Sequence, residues 1–133
     1  MASVVADTHT VVWYLAASPR LSARAKTAID AAITSGQPVW VPTICLVEIA
    51  YLVEKTRLPE AAWESLLQHL NGPHTGFRAA SFSVAMAEAL RRIPVATVPD
   101  MPDRMIAATA LALSLPLVTC DPKIQAAPLT TIW

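Results

Sequence analysis

Between Ile44 and Val53 every residue is apolar except Glu48. On a helix its neighbours Ile44, Tyr51 and Leu52 offer no polar face, and a carboxylate buried in such a run is costly unless something positive meets it. Four further acids hold conspicuous positions. Asp7 ends the run "VVA", Asp121 ends "LVTCD", and Asp100 and Asp103 bracket a helix start in "VPDMPDRMIAATA". If the fold gathers Asp7, Glu48, Asp103 and Asp121, their charges repel, and some stay protonated at neutral pH unless the repulsion is offset. A divalent cation offsets it, and hard oxygen ligands select Mg2+ or Mn2+. Such an ion, with open water positions, generates a hydroxide nucleophile and stabilises charge on phosphoryl oxygens, which suits phosphodiester hydrolysis.

Each aspartate also has a plainer use. Asp7 can cap the following helix, Asp103 can be a first-turn acid facing the macrodipole, and Asp100 and Asp121 can be turn residues beside Pro99 and Pro122. Glu48 has no such alternative. Asp30 lies on a helical stretch and reads as solvated surface. Of the histidines, His69 reads as helix surface and His74, in "NGPHTG", as loop. His9, two residues after Asp7, is within reach of the site edge, with a structural role at least as good a reading. Arg104, directly after Asp103, is read equally as a phosphate contact or as the partner of a neighbouring acid.

The elements that must position these residues follow from periodicity and punctuation. Strand-like runs occur at Val4–Ala6, Val39–Val41, Leu117–Cys120 and Thr130–Trp133, with Phe77–Ala80 a weaker candidate. Helical patterns cover Leu21–Thr34, a stretch capped by Thr43 and running to about Thr56, a helix opened by Pro59, Ser83–Arg92 and Pro102–Ser114. In the helix after Pro59, Trp63, Leu66, Leu67 and Leu70 form a stripe at helical spacing. Strands alternating with helices predict an α/β fold with a parallel sheet sandwiched by helices, whose ligands bind beyond the carboxyl ends of the strands.

Composition bounds the remaining choices. A chain of 133 residues reads as a single domain, 1–133, long enough for a proper core. Hydrophobic residues make up 54%, above the usual level of about 45–50%, so either the core is rich or a partner covers some surface. No apolar stretch reaches the roughly 20 residues of a spanning helix, and "MASVVAD" has neither the basic flank nor the core of a signal peptide. The expectation is therefore a soluble cytoplasmic protein that does not use a membrane. Cys45 and Cys120 sit in apolar segments and are expected to pack as small hydrophobes, without zinc spacing between them. With 10 basic against 10 acidic side chains, contact with a nucleic acid must be local rather than a global field.

Three segments in order, "VVADTHTVVWYL", "VPTICLVEIAYLVEKTRL" and "PDMPDRMIAATALALSLPLVTCDPKI", resemble the PIN-domain nucleases, and more closely the VapC-type toxins of bacterial toxin–antitoxin pairs. The resemblance spans essentially the whole chain. It implies a three-layer α/β/α fold with a central parallel sheet of four to five strands, and an acidic pocket for Mg2+ or Mn2+. By position, Asp7, Glu48, Asp103 and Asp121 are its first to fourth acids, with Asp100 assisting. Thr119, in "VTCD", matches a hydroxyl that orients metal-bound water in the family, although an ordinary strand threonine reads the same way. The resemblance also implies an endoribonuclease restrained by a cognate antitoxin, and a homodimer. Antitoxin segments in the family lie over hydrophobic grooves and reach an Arg or Lys into the acidic pocket, and the Trp63–Leu70 stripe and Trp13 are candidate surfaces.

Other readings stay open. An aspartyl phosphatase would want a second acid where His9 stands, and a DNA nuclease would use the same acids. A non-catalytic PIN-like module that binds RNA or protein would have no need of Glu48 and would show no RNA cleavage for chelation to abolish.

Overall fold

The strand Val4–Ala6 (β1) is buried along its whole length and sits at the centre of a five-stranded sheet. In this computed structural model, which describes residues 3–133, β1 pairs on one side with Val39–Pro42 (β2) and on the other with Leu117–Val118 (β4). Phe77–Ala80 (β3) and Thr131–Ile132 (β5) complete the order β3-β2-β1-β4-β5, and every pairing is parallel. Continuous apolar runs such as "VVA" suit strands covered on both faces. The helices Thr8–Leu15 (α1), Ala23–Thr34 (α2), Thr43–Glu54 (α3), Glu60–Asn71 (α4), Val84–Leu90 (α5), Met101–Leu113 (α6) and Pro122–Gln125 (α7) flank this sheet in the expected three-layer α/β/α arrangement. Among the described residues no helix is long and apolar enough to cross a membrane.

The core runs through the sheet. Val5, Val39, Val41, Leu117 and Val118 of the strands meet Ile29 of α2, Ile49 of α3, Leu66 of α4 and Ile106 of α6, all essentially inaccessible to water. Ala107, Ala108 and Ala110 are fully buried as well, and their small side chains let α6 approach β1 closely. The Trp63–Leu70 stripe is split: Leu66 is buried, while Trp63 and Leu70 are partly buried and pack against the core.

Several boundaries differ from the sequence reading for local reasons. Thr43 does not cap α3; it is the first helical residue, and Pro42, which makes no side-chain cap bond, precedes it. Pro42 is still paired with Ala80 in the sheet, so strand passes into helix with no loop between. Pro59 likewise stands one position before α4 rather than in its first turn. α1 and α7 are additional elements, each only one turn or two long and each opened by an aspartate that the sequence had marked for chemistry.

The chain winds outward from β1 to β3 in one direction and then crosses back to β4 and β5. Strand order therefore reverses beside β1, and the crevice beyond the carboxyl ends of β1 and β4 is where such sheets bind ligands.

Candidate active site

Asp7 follows β1 directly and is buried, with 6% of its surface exposed. Its Oδ1 accepts from the Thr10 backbone N–H at 3.0 Å, which caps α1. The Thr10 hydroxyl in turn donates to the Val118 carbonyl at 2.8 Å and ties the start of α1 to β4. Asp121 opens α7, its Oδ1 accepting from the Lys123 N–H at 2.8 Å. Its own N–H donates to the Thr119 hydroxyl at 3.1 Å, and Thr119 is fully buried. The plain and the chemical uses of these aspartates are thus compatible, because each cap bond occupies one carboxylate oxygen.

Asp100 is the N-cap of α6 and accepts from the Asp103 N–H at 3.1 Å, which sets the two carboxyls one helical turn apart on the same side of the helix start. Asp103 is pushed up to about 7, first by burial and then by the negative charges of Asp100, Asp121 and Glu48, with a hydrogen bond that the protonated Asp103 carboxyl donates to the Asp100 carboxylate adding to the effect. This field reaches below the site. The buried Cys45 thiol is held well above its ordinary range, chiefly by burial; a hydrogen bond with Thr8 lowers it, and the charges of Asp7, Glu48 and Asp103 raise it further. Cys120 is raised by burial and by Asp7 and Asp121. Both thiols are free.

Glu48 meets a hydroxyl. Thr8 Oγ1 donates to its Oε1 at 2.6 Å, and Thr8 is itself buried. Thr8 was not among the expected site residues, and the only trace of it in the sequence is a hydroxyl directly after a strand-ending aspartate.

Among the described residues no ion pair compensates these acids. The single salt bridge among the described residues is Lys26–Asp30, on α2. Arg104 is spent elsewhere: its Nε donates to the Ile93 carbonyl at 2.9 Å and a terminal nitrogen to the Leu90 carbonyl at 3.1 Å. It pairs with no acid, so that expectation is corrected, and two of its donors are unavailable for a phosphate. Asp30 is not merely solvated. It accepts from Tyr14 Oη at 2.6 Å as well as from Lys26 at 2.6 Å, linking α1 to α2. His69 bonds the Ser65 carbonyl within α4 and packs edge-on to Phe77, and His74 is an exposed loop residue; neither is tied to the acids. His9 is exposed, with its ring 5.4 Å from Trp13.

The donor set fits a hard divalent cation in one particular way. The acids are close enough for their charges to act on Asp103, yet among the described residues no group of three or more His, Cys, Asp or Glu side chains is placed to hold a metal ion by itself. Mg2+ keeps several waters and takes only one or two direct carboxylates, so acids that share a field without converging on one point match it better than a dehydrated cage would. With such an ion and its waters, the arrangement can hold a phosphate against a low-dielectric wall.

The architecture has counterparts. A family model described as the PIN domain matches residues 4–128. Ribonuclease VapC22 of Mycobacterium tuberculosis is 29% identical over 130 residues, covering 94% of this chain and 92% of the relative. Among solved structures, VapBC2 from Rickettsia felis, bound to a DNA fragment from its promoter, superposes with a TM-score of 0.72 at 18% identity, over 96% of each chain. A toxin–antitoxin complex from Klebsiella pneumoniae superposes with a TM-score of 0.63 at 23% identity, over 98% of this chain and 97% of that one. A family match that starts at β1 and runs past α7 takes in all five acids together with the strand and helix ends that present them, and the chain belongs to the PIN-domain family.

Proposed function

We propose that this chain is the toxin of a toxin–antitoxin pair, an endoribonuclease that hydrolyses RNA phosphodiester bonds with Mg2+ or Mn2+ held, directly or through its waters, by Asp7, Glu48, Asp103 and Asp121, with Asp100 assisting. The observation that carries the reading is the crowding of uncompensated carboxylates at the switch point of the sheet, expressed in the raised Asp103. A relative named as a ribonuclease and solved toxin–antitoxin complexes of the same fold support the choice of RNA and of an antitoxin partner. A homodimer belongs to the same reading.

When bound, the divalent ion supplies water activation and neutralises charge on the phosphoryl oxygens. The chain's own residues do the rest. Asp7 and Asp121 are fixed by their cap bonds, so each presents its carboxylate without rotamer freedom to lose. Thr8 orients Glu48, and Thr119 orients Asp121 through its backbone N–H. Asp103, whose proton is held up by burial and by the neighbouring acids, would be favoured in its ionised form by a cation bound there and would then serve as a ligand. Asp100 both caps α6 and holds Asp103 at the right height.

The test compares growth and RNA integrity on inducing the native chain and Glu48→Gln in a bacterial host. The swap keeps the shape and the bond from Thr8 but removes the charge. Growth arrest with RNA cleavage by the native chain, and neither by a folded Glu48→Gln, is the expected result. Equal behaviour of the two overturns the metal-nuclease reading in favour of a binding module.

A further inference from the structure

Beside the acids, Thr8 and Glu48 line a groove of ≈ 550 Å³ together with Tyr51, Lys55 and Arg57 and the exposed apolar Val47 and Met101. Tyr51 is 60% exposed on α3, a position where burial cannot explain an aromatic ring. The Lys55 ammonium lies 5.8 Å from the centre of that ring. His9 borders the same groove, and its ring lies 5.4 Å from Trp13. Trp13 in turn carries the Arg20 guanidinium 6.0 Å from its centre, and Trp133 backs it at 5.9 Å. Two cation–aromatic pairs therefore lie on a surface joined through His9 and shared with the acids. None of the three cations makes an ion pair among the described residues.

We propose that this surface is a track for single-stranded RNA, with one unpaired base stacking on Tyr51 and another on the His9–Trp13 face, while Lys55 and Arg20 hold the phosphates beside them. The inference rests on the ribonuclease reading and says how that site takes its substrate. Aromatic rings alternating with cations suit unpaired nucleotides, since every base has a π-face and every linkage a negative charge. Lys55 and Arg57 in the groove, with Arg20 over Trp13, supply the local positive charge that the phosphates of a polyanion require beside the acids. It also reconciles a net charge of +0 with an RNA substrate, since the basic residues act locally at the site. A duplex offers no free base faces and is excluded from such a track.

The test measures cleavage of a fluorescent 12-nucleotide single-stranded RNA in Mg2+ by the full chain and by Tyr51→Ala, Lys55→Gln and Arg20→Gln, all at exposed positions. Binding is read separately by anisotropy with the same RNA on the Glu48→Gln chain, alone and combined with each change. Light scattering gives the mass of every variant. Tyr51→Ala is expected to raise KM and weaken binding roughly tenfold with kcat held within about threefold, the loss expected of one stacked base. Each lost cation is expected to lower the salt dependence of binding by about 0.7 in the log–log slope. A native chain that cuts RNA with KM and affinity untouched by all three changes overturns the track and leaves the nuclease reading standing. A change in mass without a change in RNA affinity overturns it in favour of an interface between copies. Lost capture of an antitoxin with RNA affinity intact overturns it in favour of a protein groove. A native chain that neither binds nor cuts the RNA overturns both readings.

Discussion

The Thr8 hydroxyl donates to Glu48 at 2.6 Å and joins the first turn of α1 to the middle of α3. The residue before Thr8 is Asp7, so a single turn of backbone sets two acids from different elements in fixed relation. A threonine is suited to this, because its β-branch restricts χ1 and its hydroxyl satisfies one carboxylate oxygen without neutralising the charge. Thr8→Val keeps the shape and removes the donor. The expected outcome is a 10- to 100-fold loss of RNA cleavage, in line with losses on removing partners of metal ligands, with a stability cost of about 1 kcal/mol. Thr8→Ser is expected to retain most activity; activity lost in Thr8→Ser but kept in Thr8→Val would show that the methyl group, not the hydroxyl, matters.

Asp103 links the site to stability through pH. Its carboxyl is raised from 3.8 to about 7, so the folded chain binds this proton more tightly than the unfolded chain does. The stability it contributes is present below about pH 4 and is lost as pH rises toward 7. Asp103→Asn is therefore expected to be more stable than the native chain above pH 7 without metal, by on the order of 1 kcal/mol once solvent screening is allowed for, while losing cleavage. Mg2+ is expected to raise the native Tm more at pH 8 than at pH 5, because only the ionised site binds it. Melting curves across this range decide the matter, and parallel curves for the two proteins would sink the linkage.

Much of this was legible in the residues, and the gaps have definite causes. Glu48 was conspicuous because nothing in "TICLVEIAYLV" excused a charge, and Asp7 and Asp121 because apolar runs ended on them. Phe77–Ala80 forms the strand marked as weak, although its two central residues are exposed, because it lies at the sheet edge. Thr8 was missed because a hydroxyl that serves another element, 40 positions away, carries no local pattern. The reading of Arg104 as the partner of a neighbouring acid fails for the same reason. Its neighbours in sequence are acids, but its neighbours in space are the carbonyls of Leu90 and Ile93.

Asp30 and Tyr14 provide a control away from the site. The Asp30 carboxyl is lowered by the hydrogen bond from Lys26 first and by that from Tyr14 second, and the phenol is pushed up to about 12 by burial and then by Asp30. A lowered acid stabilises the fold above its unfolded pKa and ceases to do so as pH falls through the folded one. Tyr14→Phe is expected to cost about 0.5–1.5 kcal/mol at pH 7, a cost that shrinks under acid conditions, with cleavage per folded molecule unchanged. Urea titrations at pH 7 and pH 3 read the difference; a cost independent of pH would show that the contribution of the Tyr14 hydroxyl does not depend on the charge of Asp30.

Arg104 separates position in sequence from function. It stands beside Asp103, yet its guanidinium closes the end of α5 by donating to Leu90 and Ile93, and Ile93 is fully buried. Removing it leaves the Ile93 carbonyl without a donor, leaves the Leu90 carbonyl with only the Ile93 N–H, and loosens the packing of α5 on α6, the helix that carries Asp103. Arg104→Leu is expected to destabilise the fold by about 1–3 kcal/mol, the range for leaving buried polar groups unsatisfied. If the residue acts on stability alone, KM for RNA and its salt dependence stay at native values in the fraction that remains folded. A phosphate contact would do the opposite, raising KM and flattening the salt dependence with little change in Tm. Measuring Tm and the salt dependence of KM on the same preparation tells the two apart, and the geometry assigns Arg104 to the first.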